Sequence, residues 1–204
     1  MERWTALELA STIRHDGNGG VTDDLATVEG TTRWIHRQSD LLAGHVPAGD
    51  ITADEDLRSR IIGLRRAVRT LFARTVSPAP PSPADAHRLM PVDQALADLN
   101  AAAGRELVAP QLDWPAEGAP TARLFSTEND PHVRLVAALA RAAIDFLGGP
   151  QREQLRACTA PRCVRYFVRS HGRQEWCKPS CGNRARQARH YARRSASSDG
   201  PAPS

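Results

Sequence analysis

The chain has 204 residues and a mass of 22.2 kDa, with 41% hydrophobic residues, 5% aromatics and a net charge of +4. That length suits one domain of ordinary size, or one plus a small module, with a core built from aliphatics and alanine rather than rings. No uncharged apolar run approaches the ~20 residues of a bilayer span, the mean hydropathy is −0.45, and Glu2, Arg3 and Trp4 lead into a polar stretch rather than a secretory signal. The expectation is a cytoplasmic protein with no membrane partner.

Charge is unevenly spread. Residues 1–150 hold 15 arginines against 20 acidic residues, whereas residues 151–204 hold 12 basic residues against Glu153, Glu175 and Asp199. An acidic body joined to a basic end points to a polyanionic partner for that end.

In chain order, Trp4, Leu7, Leu9 and Ile13 form a first amphipathic stretch that leads to a turn at Asp16-Gly17-Asn18-Gly19-Gly20. Thr22 is the expected N-cap of the next helix, with Asp23 and Asp24 in its first turn and Leu25, Val28, Thr32 and Ile35 at helical spacing. Thr52 to about Val76 is the clearest helix: Leu57, Ile61, Leu64, Val68 and Leu71 alternate by four and three, with Arg58, Arg65 and Arg69 on the other side. Ser77-Pro78-Ala79-Pro80-Pro81-Ser82-Pro83 ends it in a stiff loop. Asp85–Ala102 reads as a helix in one or two pieces, with Pro91 opening the second and Gly104 closing it. Glu106–Trp114 and Thr121–Ser126 read as a small β-hairpin.

Asp130–Leu147 is apolar almost all round and is expected at the centre of the core. Its polar stripe of Arg134, Arg141 and Asp145 contains an i,i+4 pair, and is either a solvated edge or one wall of a ligand pocket. The fold class is therefore mainly α with a small β-hairpin (α+β). No catalytic motif stands out, and the seven histidines, at 15, 36, 45, 87, 132, 171 and 190, lack ligand spacing. No enzyme is expected.

All four cysteines lie in the basic end, as Cys158-x4-Cys163-x13-Cys177-x3-Cys181. Two close pairs separated by a short insert suit a tetrahedral four-thiolate zinc site, one structural Zn2+ per chain, with no open position for water or substrate. Residues 158–181 offer little apolar material beyond Val164, Tyr166, Phe167, Val168 and Trp176, so the ion must contribute to folding on the ~10–16 kcal/mol scale of zinc-finger peptides. The insert reads as a hairpin, with Tyr166-Phe167-Val168 out, Ser170-His171-Gly172 turning and Gln174-Glu175-Trp176 returning. Gly182 is expected to let backbone approach sulfur. Asn183 either caps the next helix or donates to a thiolate, and Arg184 packs back onto the module. From Arg184 the chain is strongly helical, with Ala185, Ala188, Tyr191 and Ala192 on one side and Arg186, Arg189, His190, Arg193 and Arg194 on the other. Residues 195–204 read as a disordered tail.

Cys181-Gly182-Asn183-Arg184, preceded by Trp176-Cys177 and the x4 pair, resembles the CGNR zinc-finger family of bacteria, over about residues 153–194. The body resembles the ABATE domain that usually precedes it, through Leu7-Glu8-Leu9-Ala10-Ser11-Thr12, with Ser11 where typical members carry asparagine. The resemblance implies a two-part transcription regulator. Residues 1–150 would sense a small-molecule ligand or pair the chain into a homodimer, and residues 151–194 would bind double-stranded DNA. Arg186, Arg189, His190, Arg193 and Arg194 are the expected DNA contacts, with Arg165, Arg169, Arg173 and Lys178 on phosphates. The alternative is an adaptor module that docks the basic finger on an acidic protein, or on the acidic body itself.

Overall fold

The computed structural model describes residues 3–17, 20–85 and 87–198, and among them no helix is long and apolar enough to cross a membrane. Helix α1 (Thr5–Ala10) is followed by strands β1 (Ile13–His15) and β2 (Val21–Asp23), which pair antiparallel. Ile13 therefore begins a strand and does not continue the helix. Thr22 lies in β2, and the cap of α2 (Val28–His36) is Thr27, whose hydroxyl accepts from the Gly30 N–H at 3.0 Å. Thr22 does not cap because it is paired with Arg14 across β1 and β2, and Asp23, rather than sitting in a helical first turn, takes both Nη atoms of Arg65, at 2.5 and 2.8 Å.

A short helix α3 (Ser39–Leu42) leads to α4 (Glu55–Val76), which Asp54 caps by accepting from the Leu57 N–H at 2.7 Å. Leu57, Ile61, Leu64, Val68 and Leu71 are all buried, as the periodicity requires. Arg65 and Arg69 are buried as well, contrary to a solvated opposite face. Helix α5 (Val92–Gly104) begins after Pro91, and among the described residues the stretch before it holds a single 3₁₀ turn, Pro83–Asp85. Strands β3 (Val108–Asp113) and β4 (Thr121–Ser126) form the expected hairpin, pairing Val108 with Ser126 through to Asp113 with Thr121.

Helix α6 (Pro131–Gly148) runs through the centre, packed against α1, α4 and α5. Its polar stripe is a solvated edge only at Asp145, which is exposed. Arg134 and Arg141 both reach the buried carboxylate of Glu106, at 3.2 and 2.6 Å, and among the described residues no Arg141–Asp145 ion pair forms. Burial alone would raise the Glu106 carboxyl, but the hydrogen bonds and charge of these arginines outweigh it and hold the group ionised below its ordinary range.

The cysteine segment is seated on this core. Strands β5 (Leu155–Ala157) and β6 (Tyr166–Val168) pair antiparallel, and Leu155 and Tyr166 belong to the same buried cluster as α4 and α6. Rings link the parts: Trp4 on Phe146 at 5.7 Å, Phe146 on Phe72 at 5.2 Å, and Phe72 on Tyr166 at 5.5 Å. Beneath them lies a buried polar joint. Arg69 pairs with Asp85 at 2.6 Å and also donates to the carbonyls of Ala10 (2.6 Å) and Val164 (3.3 Å) and to Ser82 Oγ (3.0 Å). The Tyr166 hydroxyl donates to the other oxygen of Asp85 at 2.7 Å. The last helix, α7, spans Pro179–Ser198. Residues 195–198 are thus helical rather than tail, and 199–204 lie outside the described residues.

Candidate metal centre and basic helix

The sulfurs of Cys158, Cys163, Cys177 and Cys181 all lie within 4.8 Å of one another. Cys163 Sγ and Cys177 Sγ are 3.7 Å apart, and Cys177 Sγ and Cys181 Sγ are 3.5 Å apart. A tetrahedron with Zn–S bonds of about 2.3 Å has edges of about 3.8 Å, so the four sulfurs are positioned to bind one metal ion. Three of them are buried, with Ala160 and Phe167 closing a small apolar cluster around them.

The local structure explains how this shell is made. Cys158 and Cys163 flank the tip of the β5–β6 hairpin, so the hairpin encloses the first cysteine pair. The expected pairing of residues 166–168 with 174–176 does not occur. The reason is burial: β5 supplies Leu155 to the core, whereas Gln174 folds back to accept from the Ser170 N–H (2.8 Å) and hydroxyl (2.9 Å). At the hairpin tip Arg162 has φ 62° and the Cys163 N–H returns to the Ala160 carbonyl at 3.0 Å. The hairpin loop aims backbone N–H groups at sulfur, Ala160 at Cys158 and Arg165 at Cys163, and the Cys177 N–H donates to Cys158 from the other pair. Of the other pair, Cys177 lies just before α7 and Cys181 in its first turn, where the Cys181 N–H bonds the Lys178 carbonyl at 3.0 Å.

Electrostatics calls for a cation. Hydrogen bonds from the Cys163 and Cys177 thiols, then from backbone N–H groups, draw the Cys158 thiol far down. The bonds these two thiols make to Cys158 keep the Cys163 and Cys177 protons on, and burial adds to that. Crowded sulfurs without an ion therefore cannot all ionise; a divalent ion removes the conflict and takes all four as thiolates. Arg184 Nη2 donates to Cys181 Sγ at 3.2 Å, which offsets part of the resulting negative charge.

Residues 5–150 match the family model ABATE, described as a putative stress-induced transcription regulator, and residues 154–194 match that of the CGNR zinc finger. The chain belongs to the ABATE family. No curated protein matches it. The families concerned are regulatory and zinc-binding rather than enzymatic, and the four cysteines of the CGNR finger hold one structural zinc ion.

A Cβ on Gly182 would meet the Trp176 ring at 3.0 Å, so the glycine makes room for an indole. One expectation about the finger's signature needs correction. Asn183 neither caps nor touches sulfur: α7 has already begun at Pro179, and Asn183 Oδ1 accepts from Arg186 Nη2 at 2.5 Å. Arg189 lies over the Trp176 ring at 5.5 Å, which ties the basic run to the finger.

Beyond Ala185 every residue of α7 to Arg194 is exposed, including Arg186, Arg189, His190, Arg193 and Arg194. Tyr191 is 67% exposed, so the presumed apolar side of the helix is buried only at Ala185, and the acidic body does not cover the helix. Arg173 and Lys178 are exposed, whereas Arg169 is half-buried beside the Gln154 carbonyl and Arg165 lines a cleft against the body. Sequence reasoning missed the buried joint of Arg69, Asp85, Ser82 and Tyr166. The only available signal was Ser82 and Asp85 beside prolines, in a loop that looked like a spacer.

Proposed function

We propose that this chain is a zinc-stabilised DNA-binding transcription regulator acting in the cytoplasm, with residues 151–194 as the DNA-binding part and residues 1–150 as a sensor or oligomerisation domain. The observation that carries the reading is the exposed basic run of α7, from Arg186 to Arg194, growing directly out of the metal shell at Cys181. A helix of 20 residues is about 30 Å long, and the major groove admits one. Fixing its root with zinc, Arg184 on sulfur and Arg189 on Trp176 removes orienting freedom before DNA arrives, so less entropy is lost on binding. Arg173 and Lys178, exposed near that root, extend the basic surface toward neighbouring phosphates.

The test is duplex DNA binding of the zinc-loaded chain over a salt series. Arg193→Ala with Arg194→Ala, far along α7 from the sulfurs, should weaken binding and flatten the log–log salt slope by about 1.8, or ~0.9 per lost phosphate contact. Zinc content should stay unchanged. Affinity and slope equal to those of the unsubstituted chain would defeat the reading.

A further inference from the structure

A cleft of about 430 Å³ opens where α1 and α2 of the body face β6 and the segment that follows it. Its size lies within the range of small-molecule sites. Arg3, Arg14, Arg37 and Arg165 line it, against the carboxylates of Glu8 and Asp24. Arg3 is occupied by Glu8 at 3.2 Å and by Gln38 Oε1 at 3.1 Å. Asp24 is shared: it pairs closely with Arg14, and Arg37 reaches its other oxygen only at 3.5 Å. Arg165, half-buried, has no side-chain ion pair among the described residues. Four arginines thus line the cleft with two carboxylates, and the positive excess falls on Arg37 and Arg165. The half-buried ring of Trp4 gives the cleft one flat apolar face, and Trp34 and Phe167 lie buried beneath its floor.

We infer that this cleft binds a small monocarboxylate with a flat apolar frame, its carboxylate taken by Arg37 and Arg165 and its frame laid against Trp4. Guanidinium groups that converge without enough counter-charge gain most from an anion that accepts two parallel hydrogen bonds, and partial burial strengthens that gain. Cys177 also borders the cleft. The negative charge of a zinc–thiolate shell at that edge works against a phosphate dianion and favours a single charge. Arg37 belongs to the body and Arg165 follows the ligand Cys163 by two residues, so the bound molecule spans the seam between body and finger. The site does not depend on the DNA-binding reading, because occupancy is measured without DNA.

The zinc-loaded full chain is titrated with benzoate and phenylacetate by calorimetry and thermal melting, with benzamide and inorganic phosphate as controls. The carboxylates should bind saturably and raise Tm, and benzamide and phosphate should not. Arg37→Gln and Arg165→Gln should each weaken benzoate at least about ten-fold, the loss of one charge-assisted contact, with zinc content unchanged. The Arg37 side chain is 54% exposed and is not among the metal-binding residues, so its substitution keeps the test decisive. Absence of saturation by both carboxylates at millimolar concentration overturns the inference. So does equal binding of benzamide, tighter binding of phosphate, or benzoate affinity that survives both substitutions.

Discussion

Arg69 makes more buried contacts than any apolar side chain in its helix could replace. Its guanidinium meets Asp85 with 3% and 1% side-chain exposure respectively, and its remaining donors bond carbonyls of Ala10 and Val164. Tyr166 shares the same carboxylate, and burial followed by the Asp85 charge pushes its hydroxyl well above the ordinary range, so it remains a donor at any physiological pH. Removing one member of such a set strands the others without water. Arg69→Met should therefore lower stability by roughly 3–5 kcal/mol, the cost of leaving a buried charge unpaired. Urea unfolding of the zinc-loaded chain reads this directly, and a loss under about 1 kcal/mol would mean the joint is solvated. No sequence pattern announces this group: Asp85 is 16 residues from Arg69, and Tyr166 is 81 residues from Asp85.

At the scale of elements, what could be read in advance divides by the range of the forces involved. Helices α4 and α6 follow from periodicity because a helix satisfies its hydrogen bonds locally and its buried stripe is written every three or four residues. The metal shell was equally readable, since thiolate spacing within each pair is a local constraint. Strand pairing is not local, so β6 took β5 as its partner and the hairpin closed around Cys158 and Cys163. Likewise the cap of α2 falls to Thr27 because Thr22 pairs with Arg14 in the β1–β2 ladder. Helix α7 depends on the ion more than on packing, for among its residues 179–194 only Cys181, Gly182 and Ala185 are buried. Chelation should accordingly remove a helical circular-dichroism signal on the scale of α7 and abolish DNA binding, both restored by stoichiometric zinc. Retention of the full signal after metal removal would show that the helix stands unaided.

For the whole molecule, acid stability should fall in two stages with fixed signs. Burial, then the Arg141 charge, lowers the affinity of His45 for a proton below its ordinary value of 6.5. Its contribution is complete above that value and is lost as pH falls toward the folded-state value. Asp23 and Glu106 follow. Burial raises each carboxyl, but hydrogen bonds and charge from Arg65, and from Arg141 and Arg134, hold both below 3.8 and 4.5. Their stabilisation is whole above those values and disappears as pH drops through the lower folded-state ones. Melting temperature measured from pH 8 to pH 3 should show a shallow decline beginning near 6.5 and a steeper one near 4; a flat profile through both ranges would contradict these assignments. Finally, the Val164 carbonyl and the Tyr166 hydroxyl enter the joint built by α4 and the proline loop, so the finger is keyed to its own socket. A chimera that joined this body to a foreign finger at residue 150 would inherit the lock without the key. Descent should therefore have passed the two halves on together, and interchange between paralogues should require the socket residues to travel too.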